Sequence, residues 1–237
     1  LSQFPAFAHD VLGGNEQVAS LLLVVFSVGI AAGSLLCETL SHRHVEIGLV
    51  PIGAVGMTVF AFDLYLATRG MSATPGVLLT VGAFVSQAAH WRVMADLALL
   101  AFSAGLYSVP MYALIQLRAR PSHRARIIAA NNILNALFMI VSSLVAGALL
   151  GAGCSISQVF GVTALLNVIV VGYVFWLMPE YILRLVMLFV TRIVYRLRVR
   201  GDEHLPTDGA AILVCNHVSF VDAVILGVLS PRPMIFL

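Results

Sequence analysis

From Ile127 to Met178 the chain carries no Asp, Glu, Arg or Lys. A bilayer core about 30 Å thick takes about 20 apolar residues in a helix. The run is therefore too long for one crossing. It divides at Gly151-Ala-Gly-Cys-Ser-Ile-Ser157 into two predicted spans, 127–150 and 158–178. Composition agrees: 60% of residues are hydrophobic and 10% charged, against about 25% charged in a typical soluble domain. A lipid-embedded chain is the reading these numbers favour, and a single soluble domain is excluded as the starting point.

Three further runs have spanning length: 18–37, 47–67 with Asp63 near its end, and 93–117 with Asp96 near its start. The predicted count is five spans. Gly70–Trp91 has no formal charge, but Pro75, its glycines and its Ser, Thr and Gln residues dilute it. It is read as a long, partly interfacial loop, although the arginine tally is the same whether or not it crosses. Arg118, Arg120, Arg124 and Arg126 crowd one turn, and Arg184, Arg192, Arg196, Arg198 and Arg200 follow the last span. By the positive-inside rule both basic stretches face the cytoplasm.

The net charge of +2 is too small and scattered for a nucleic-acid footprint. Cys37, Cys154 and Cys215 lie far apart, with neither metal-ligand spacing nor the even count of a disulfide scaffold. No metal site is predicted. The chain begins at Leu1, and Pro233–Leu237 reads as a strand just starting, so a piece of a longer protein is expected.

Polar groups inside spans need partners, because lipid offers none. Asn131 and Asn135 lie one helical turn apart, with Asn132 beside them. They fit either helix–helix hydrogen bonding or a polar transport path. Asp63 and Asp96, near helix ends, fit solvated carboxylates or a proton-coupling role. Gly105 and Pro110 make the third span a candidate kinked helix.

Phe4–Arg69, Gly105–Gln116 and above all Arg124-Ala-Arg-Ile-Ile-Ala-Ala-Asn-Asn-Ile-Leu-Asn-Ala-Leu-Phe-Met139 resemble the C-terminal half of major-facilitator transporters of the bacterial lysophospholipid type. The resemblance implies a partial major facilitator fold in which 18–37 corresponds to the eighth helix, with the first seven absent. Asn131, Asn132, Asn135 and Asp96 would then border the transport path. The family's basic loop after that helix is only echoed by Gly33, Glu38, His42 and Arg43.

After Pro179 the texture changes. Glu180–Val194 reads as a helix suited to the membrane surface or to a spanning helix's cytosolic extension, and Arg196-Leu-Arg-Val-Arg200 alternates with the period of a strand. Gly201–Gly209 is turn chemistry. Ala210–Cys215 has the length of a buried strand, and Ala223–Leu229 reads as a helix. This is the start of an α/β domain. Domains are therefore expected at 1–179 (membrane), 180–200 (linker helix and first strand) and 201–237 (the truncated second domain).

Between strand and helix lies Asn216-His-Val-Ser-Phe-Val-Asp222. A hydroxyl attacking a thioester must lose its proton, and imidazole suits that task at neutral pH. A carboxylate on the other ring nitrogen would fix the tautomer and stabilise the imidazolium. Ser219 fits a helix N-cap, and Asn216 fits a backbone tie at the bend. A core histidine beside a capping aspartate is the plainer alternative.

The string, directly after Ile212-Leu-Val-Cys215 and with Gly201 and Leu205-Pro206 upstream, resembles the first block of glycerolipid acyltransferases of the 1-acylglycerol-3-phosphate type. That resemblance implies His217 as general base, Asp222 as its partner, an acyl carrier protein or acyl-CoA thioester as donor, and no cofactor. With the transporter resemblance it implies a bacterial inner-membrane protein, multi-pass, its acyltransferase part facing the cytoplasm, that moves lysophospholipid inward and reacylates it. The later acyltransferase blocks have no counterpart here, so the chain alone is expected to be inactive. Two alternatives stand beside this reading: a transporter with a structural or regulatory appendage, and an acyltransferase that uses the helices only as an anchor.

Overall fold

The computed structural model describes residues 4–41, 48–73, 76–177, 179, 212–216, 219, 222 and 225–226. The expected linker helix and strand at 180–200, the turn at 201–209, Arg43, His217 and the final strand at 233–237 lie outside them. The chain forms two compact units, Leu1–Val174 and Phe175–Leu237.

The first unit is helical. A short α1 (Phe4–Ala6) and a π-helical turn (Phe7–Val11) precede α2 (Glu16–Ser41) and α3 (Leu49–Thr68). Then come α4 (Val81–Val85), α5 (Ala88–Arg118), a 3-10 turn (Pro121–His123), α6 (Arg124–Gly151) and α7 (Ile156–Leu177). Five of these helices, α2, α3, α5, α6 and α7, are long and apolar enough to cross a membrane. Among its described residues the 70–91 segment contains only α4 and the first turn of α5, and five residues cannot span a bilayer.

The helix boundaries follow local chemistry. Asn15 opens α2, its Oδ1 accepting from the Gln17 and Val18 amides at 3.1 and 3.2 Å. Gly153, at φ 91°, closes α6. The amides of Gly153 and Cys154 donate back to the Leu150 and Leu149 carbonyls, which satisfies the helix end. Ser155 and Gln158 then open α7 reciprocally: Ser155 Oγ accepts from the Gln158 amide at 3.2 Å, and Gln158 Oε1 accepts from the Ser155 amide at 2.8 Å. Helix α5 continues as one element through Pro110.

Helix α5 packs between α2 and α3, and the contacts are close because small residues line them. A Cβ on Gly33 would collide with the Phe102 carbonyl, and one on Gly105 would lie 2.7 Å from the Ile30 carbonyl. Lipid is as apolar as leucine, so helices inside a bilayer associate through such packing and through hydrogen bonds.

One end of the unit is built differently. Phe7, Leu12, Val18, Leu22, Leu64, Phe84, Val93 and Leu97 form a buried apolar cluster over the ends of α2, α3 and α5. The chain before α2 and the 70–87 segment close over it, joined where the Leu79 amide donates to the Gly13 carbonyl at 2.7 Å. His90 is buried beneath them, stacked on Phe84 at 4.0 Å. By contrast, α6 has no buried residue among the described ones.

Among the described residues there is no β-strand, only an isolated bridge between Gly14 and Leu79. Residues 212–216, the described part of the strand expected at 210–215, have no regular secondary structure. A strand is defined by its pairing, and the segments expected to pair with it lie outside the described residues.

Candidate functional site

In the second unit, Ile212–Asn216 is exposed, and Asp222, Ile225 and Leu226 are helical. Ser219 and Asp222 are bound to one another. The Ser219 amide donates to Asp222 Oδ2 at 2.8 Å, and the Asp222 amide donates to the Ser219 carbonyl at 2.9 Å. The Asp222 side chain thus reaches back to the backbone amide of the residue three positions earlier, the bond that forms half of a capping box. The bond fixes the direction of the Asp222 carboxylate. Asp222 is half-buried and Asn216 exposed.

In the first unit the polar residues fall into three places. Asn135 on α6 donates its amide to the Tyr112 hydroxyl on α5 at 2.8 Å. Asn131 is half-exposed and Asn132 exposed, so of the three asparagines the structure ties Asn135 to the neighbouring helix.

The second place is a charge cluster between α3 and α5. Arg92 donates from Nη2 to Asp63 Oδ1 at 2.5 Å and from Nε to Asp63 Oδ2 at 3.2 Å, a two-point guanidinium–carboxylate pair. Asp96, one turn further along α5, is 4% exposed, and its Oδ2 is buried without a hydrogen-bond partner. This corrects the solvated reading of Asp96. Helix α5 starts at Ala88, earlier than the apolar run from Val93, so Asp96 lies within the helix pack instead of at its rim.

The third place is midway along α7. Asn167 on α7 donates to Thr58 Oγ1 at 2.8 Å and to the Ala54 carbonyl at 3.0 Å, both on α3. Sequence reading singled out neither Asn167 nor Arg92 as a partner. An amide in the centre of an uncharged span was the available signal for Asn167. Above this bond, α3 and α7 border an open groove of about 830 Å³. Among the described residues no group of three or more His, Cys, Asp or Glu is placed to hold a metal ion.

Residues 196–237 match the family model described as Acyltransferase. The matched segment includes Asn216, His217, Ser219 and Asp222. No curated protein and no solved structure matches the chain.

Proposed function

We propose that the chain belongs to a bacterial inner-membrane protein that carries a lysophospholipid to the cytoplasmic leaflet and reacylates it there from an acyl carrier protein or acyl-CoA thioester. The observation that carries this reading is the acyltransferase match over 196–237 in a chain with five helices of membrane-spanning length. The transporter assignment rests on the resemblance of Arg124–Met139 and its neighbours, with Asn131, Asn132, Asn135 and Asp96 along the path.

The chemistry needs one base and one partner. His217 removes the proton from the lysophospholipid hydroxyl as its oxygen attacks the thioester carbonyl. Asp222, its carboxylate oriented by the Ser219 amide, stabilises the imidazolium that forms. When the tetrahedral intermediate collapses, the C–S bond breaks and the imidazolium proton passes to the departing thiolate. The products are the diacyl phospholipid and the free thiol. The arginines of the 118–126 turn and those at 184–200 support a cytoplasmic location for the acyl transfer step, by the positive-inside rule.

The test uses inverted membrane vesicles carrying the product of the open reading frame that encodes the chain. Supplied with lysophosphatidylethanolamine and a radiolabelled acyl thioester, they form labelled diacyl lipid. His217→Ala reduces the rate by about 10²–10⁴-fold, the usual worth of a general base. Unchanged acylation in that variant, at equal expression, overturns the catalytic assignment. Lysophospholipid uptake with no acylation in either protein favours a transporter with a structural appendage.

A further inference from the structure

A smaller cavity, of about 380 Å³, lies where α3 ends and α7 begins, bordered also by the π-helical turn before α2. Its volume falls in the range of about 300–1,000 Å³ typical of small-molecule sites. The first turn of α7 brings donors to it. The Gln158 amide is taken by Ser155 Oγ at 3.2 Å, and the Val159 amide by the Ser155 carbonyl at 3.1 Å. The Ile156 and Ser157 amides precede the first intrahelical bond, so the helix offers them no acceptor. This turn holds no acidic residue, and the positive end of the helix dipole meets no carboxylate there.

A buried side chain points the same way. Ser157 lines the cavity and is only 3% exposed. Among the described residues its hydroxyl has no hydrogen-bond partner. It is nevertheless not sealed off, since Asp96 Oδ2 is the one fully enclosed polar side-chain atom left unpaired among them. A buried hydroxyl needs a partner, and the cavity is where one can reach it.

The charges around the space complete the donor set. Arg69 lines it at the end of α3, its amide bound to the Tyr65 carbonyl at 2.9 Å. Among the described residues Arg69 takes part in no ion pair. Thr68 offers no donor, because its Oγ1 gives its hydrogen to the Leu64 carbonyl at 2.7 Å. The lining carboxylate, Asp10, is 61% exposed and bonded to His9 Nδ1 at 2.8 Å. The unsatisfied groups are therefore two amides, a hydroxyl and a guanidinium, with one carboxylate at the rim.

We infer that this cavity binds a phosphate group, its oxygens taking the Ile156 and Ser157 amides, the Ser157 hydroxyl and the Arg69 guanidinium. A helix N-terminus with an arginine beside it suits that anion, and a tetrahedral group can meet donors that converge from α3 and α7. Free inorganic phosphate and the phosphate of a bilayer lipid share this chemistry. The site uses none of the residues assigned to transport or to acyl transfer, and its occupant would tie α7 to the end of α3.

The experiment uses the full chain in dodecyl maltoside, which contains no phosphate, titrated calorimetrically with inorganic phosphate at constant ionic strength. Saturable, single-site binding is expected. Ser157→Ala and Arg69→Gln are each expected to weaken it by about tenfold or more, as for loss of one hydrogen bond to a charged group. Ser157→Ala removes a hydroxyl that holds nothing in the empty chain, so its fold is expected to survive, which circular dichroism checks. Asp10→Asn is expected to strengthen binding several-fold by removing a like charge from the rim. A purely structural role for these residues does not produce effects of opposite sign.

The same titration in nanodiscs separates the two sources. In digalactosyldiacylglycerol discs, which are free of phosphate, the affinity is expected to match that in detergent. Equal affinity in phosphatidylcholine discs assigns the site to free phosphate, and affinity lost in those discs alone assigns it to the lipid head group. No saturable binding in detergent overturns the site. So does binding that Ser157→Ala and Arg69→Gln both leave unchanged, which would mean an adventitious ion only.

Discussion

Asn167, midway along α7, donates its side-chain amide to Thr58 on α3 at 2.8 Å. Hydrogen bonds between helices in a bilayer are worth about 0.6 kcal/mol on average and up to about 1.7 kcal/mol. Asn167→Leu is expected to lower stability by about 1 kcal/mol, and Thr58→Val by less, because the Ala54 carbonyl still receives a bond. Reversible unfolding in mixed micelles checks both, and a double-mutant cycle isolates the coupling. Coupling indistinguishable from zero would show that the bond does not hold α7 to α3.

Close packing of α2 on α5 leads to a second prediction. A methyl group at Gly33 meets the Phe102 backbone, which cannot yield as a flexible side chain would. Gly33→Ala is expected to cost about 1–3 kcal/mol, the usual penalty of overpacking. Gly147→Ala on α6 is the control, since a Cβ there meets nothing within 4 Å. It should be neutral or raise stability by up to about 1 kcal/mol through helix propensity. The same unfolding measurement reads both variants, and equal behaviour would contradict the packing argument.

Much of the helical plan was legible in the sequence, because bilayer thickness sets how long an apolar run must be. The turn between α6 and α7 was legible too, from the Gly151–Ser157 stretch that divides the uncharged run, whereas the reciprocal Ser155–Gln158 cap was not singled out. The pairings were not. Asp63 and Arg92 are separated by the whole 70–91 segment, and Thr58 and Asn167 by more than two complete helices. No local period encodes which of these meet. Asp96 was misjudged for a related reason: the apolar run starts at Val93, but the helix starts at Ala88 and the cap packs around its first turns. In the acyltransferase-like segment the motif residues were readable by type. The Ser219–Asp222 bond shows how one of them is oriented, while His217 lies outside the described residues.

That bond allows charge to be separated from structure. Asp222→Asn keeps an oxygen to accept from the Ser219 amide but removes the carboxylate charge. Acyl transfer is expected to fall by about 10²–10⁴-fold with little change in KM, by analogy with loss of the orienting aspartate in hydrolytic triads. Steady-state kinetics on the vesicle-embedded protein check this. Full activity in Asp222→Asn would assign the residue to helix capping alone.

Orientation is testable by chemical access. Cys154 sits in the α6–α7 turn, at the opposite end of α6 from Arg124. With Cys37 and Cys215 changed to serine, a membrane-impermeant maleimide added to intact spheroplasts is expected to modify Cys154. In a variant that also carries Cys154→Ser and Ser122→Cys, position 122 should react only after the membrane is opened. The reverse pattern would place the arginine-rich turn outside and remove the acyltransferase-like segment from the cytoplasm.

The most direct measurement joins the two halves of the proposal. Right-side-out vesicles bearing the product of the encoding reading frame are loaded with a radiolabelled acyl thioester, and lysophosphatidylethanolamine is added outside. Labelled diacyl lipid is expected inside, and it is expected to be lost with His217→Ala while uptake of the lysolipid continues. Diacyl lipid at wild-type levels in the His217→Ala vesicles, or none in the unaltered ones despite active uptake, would contradict it.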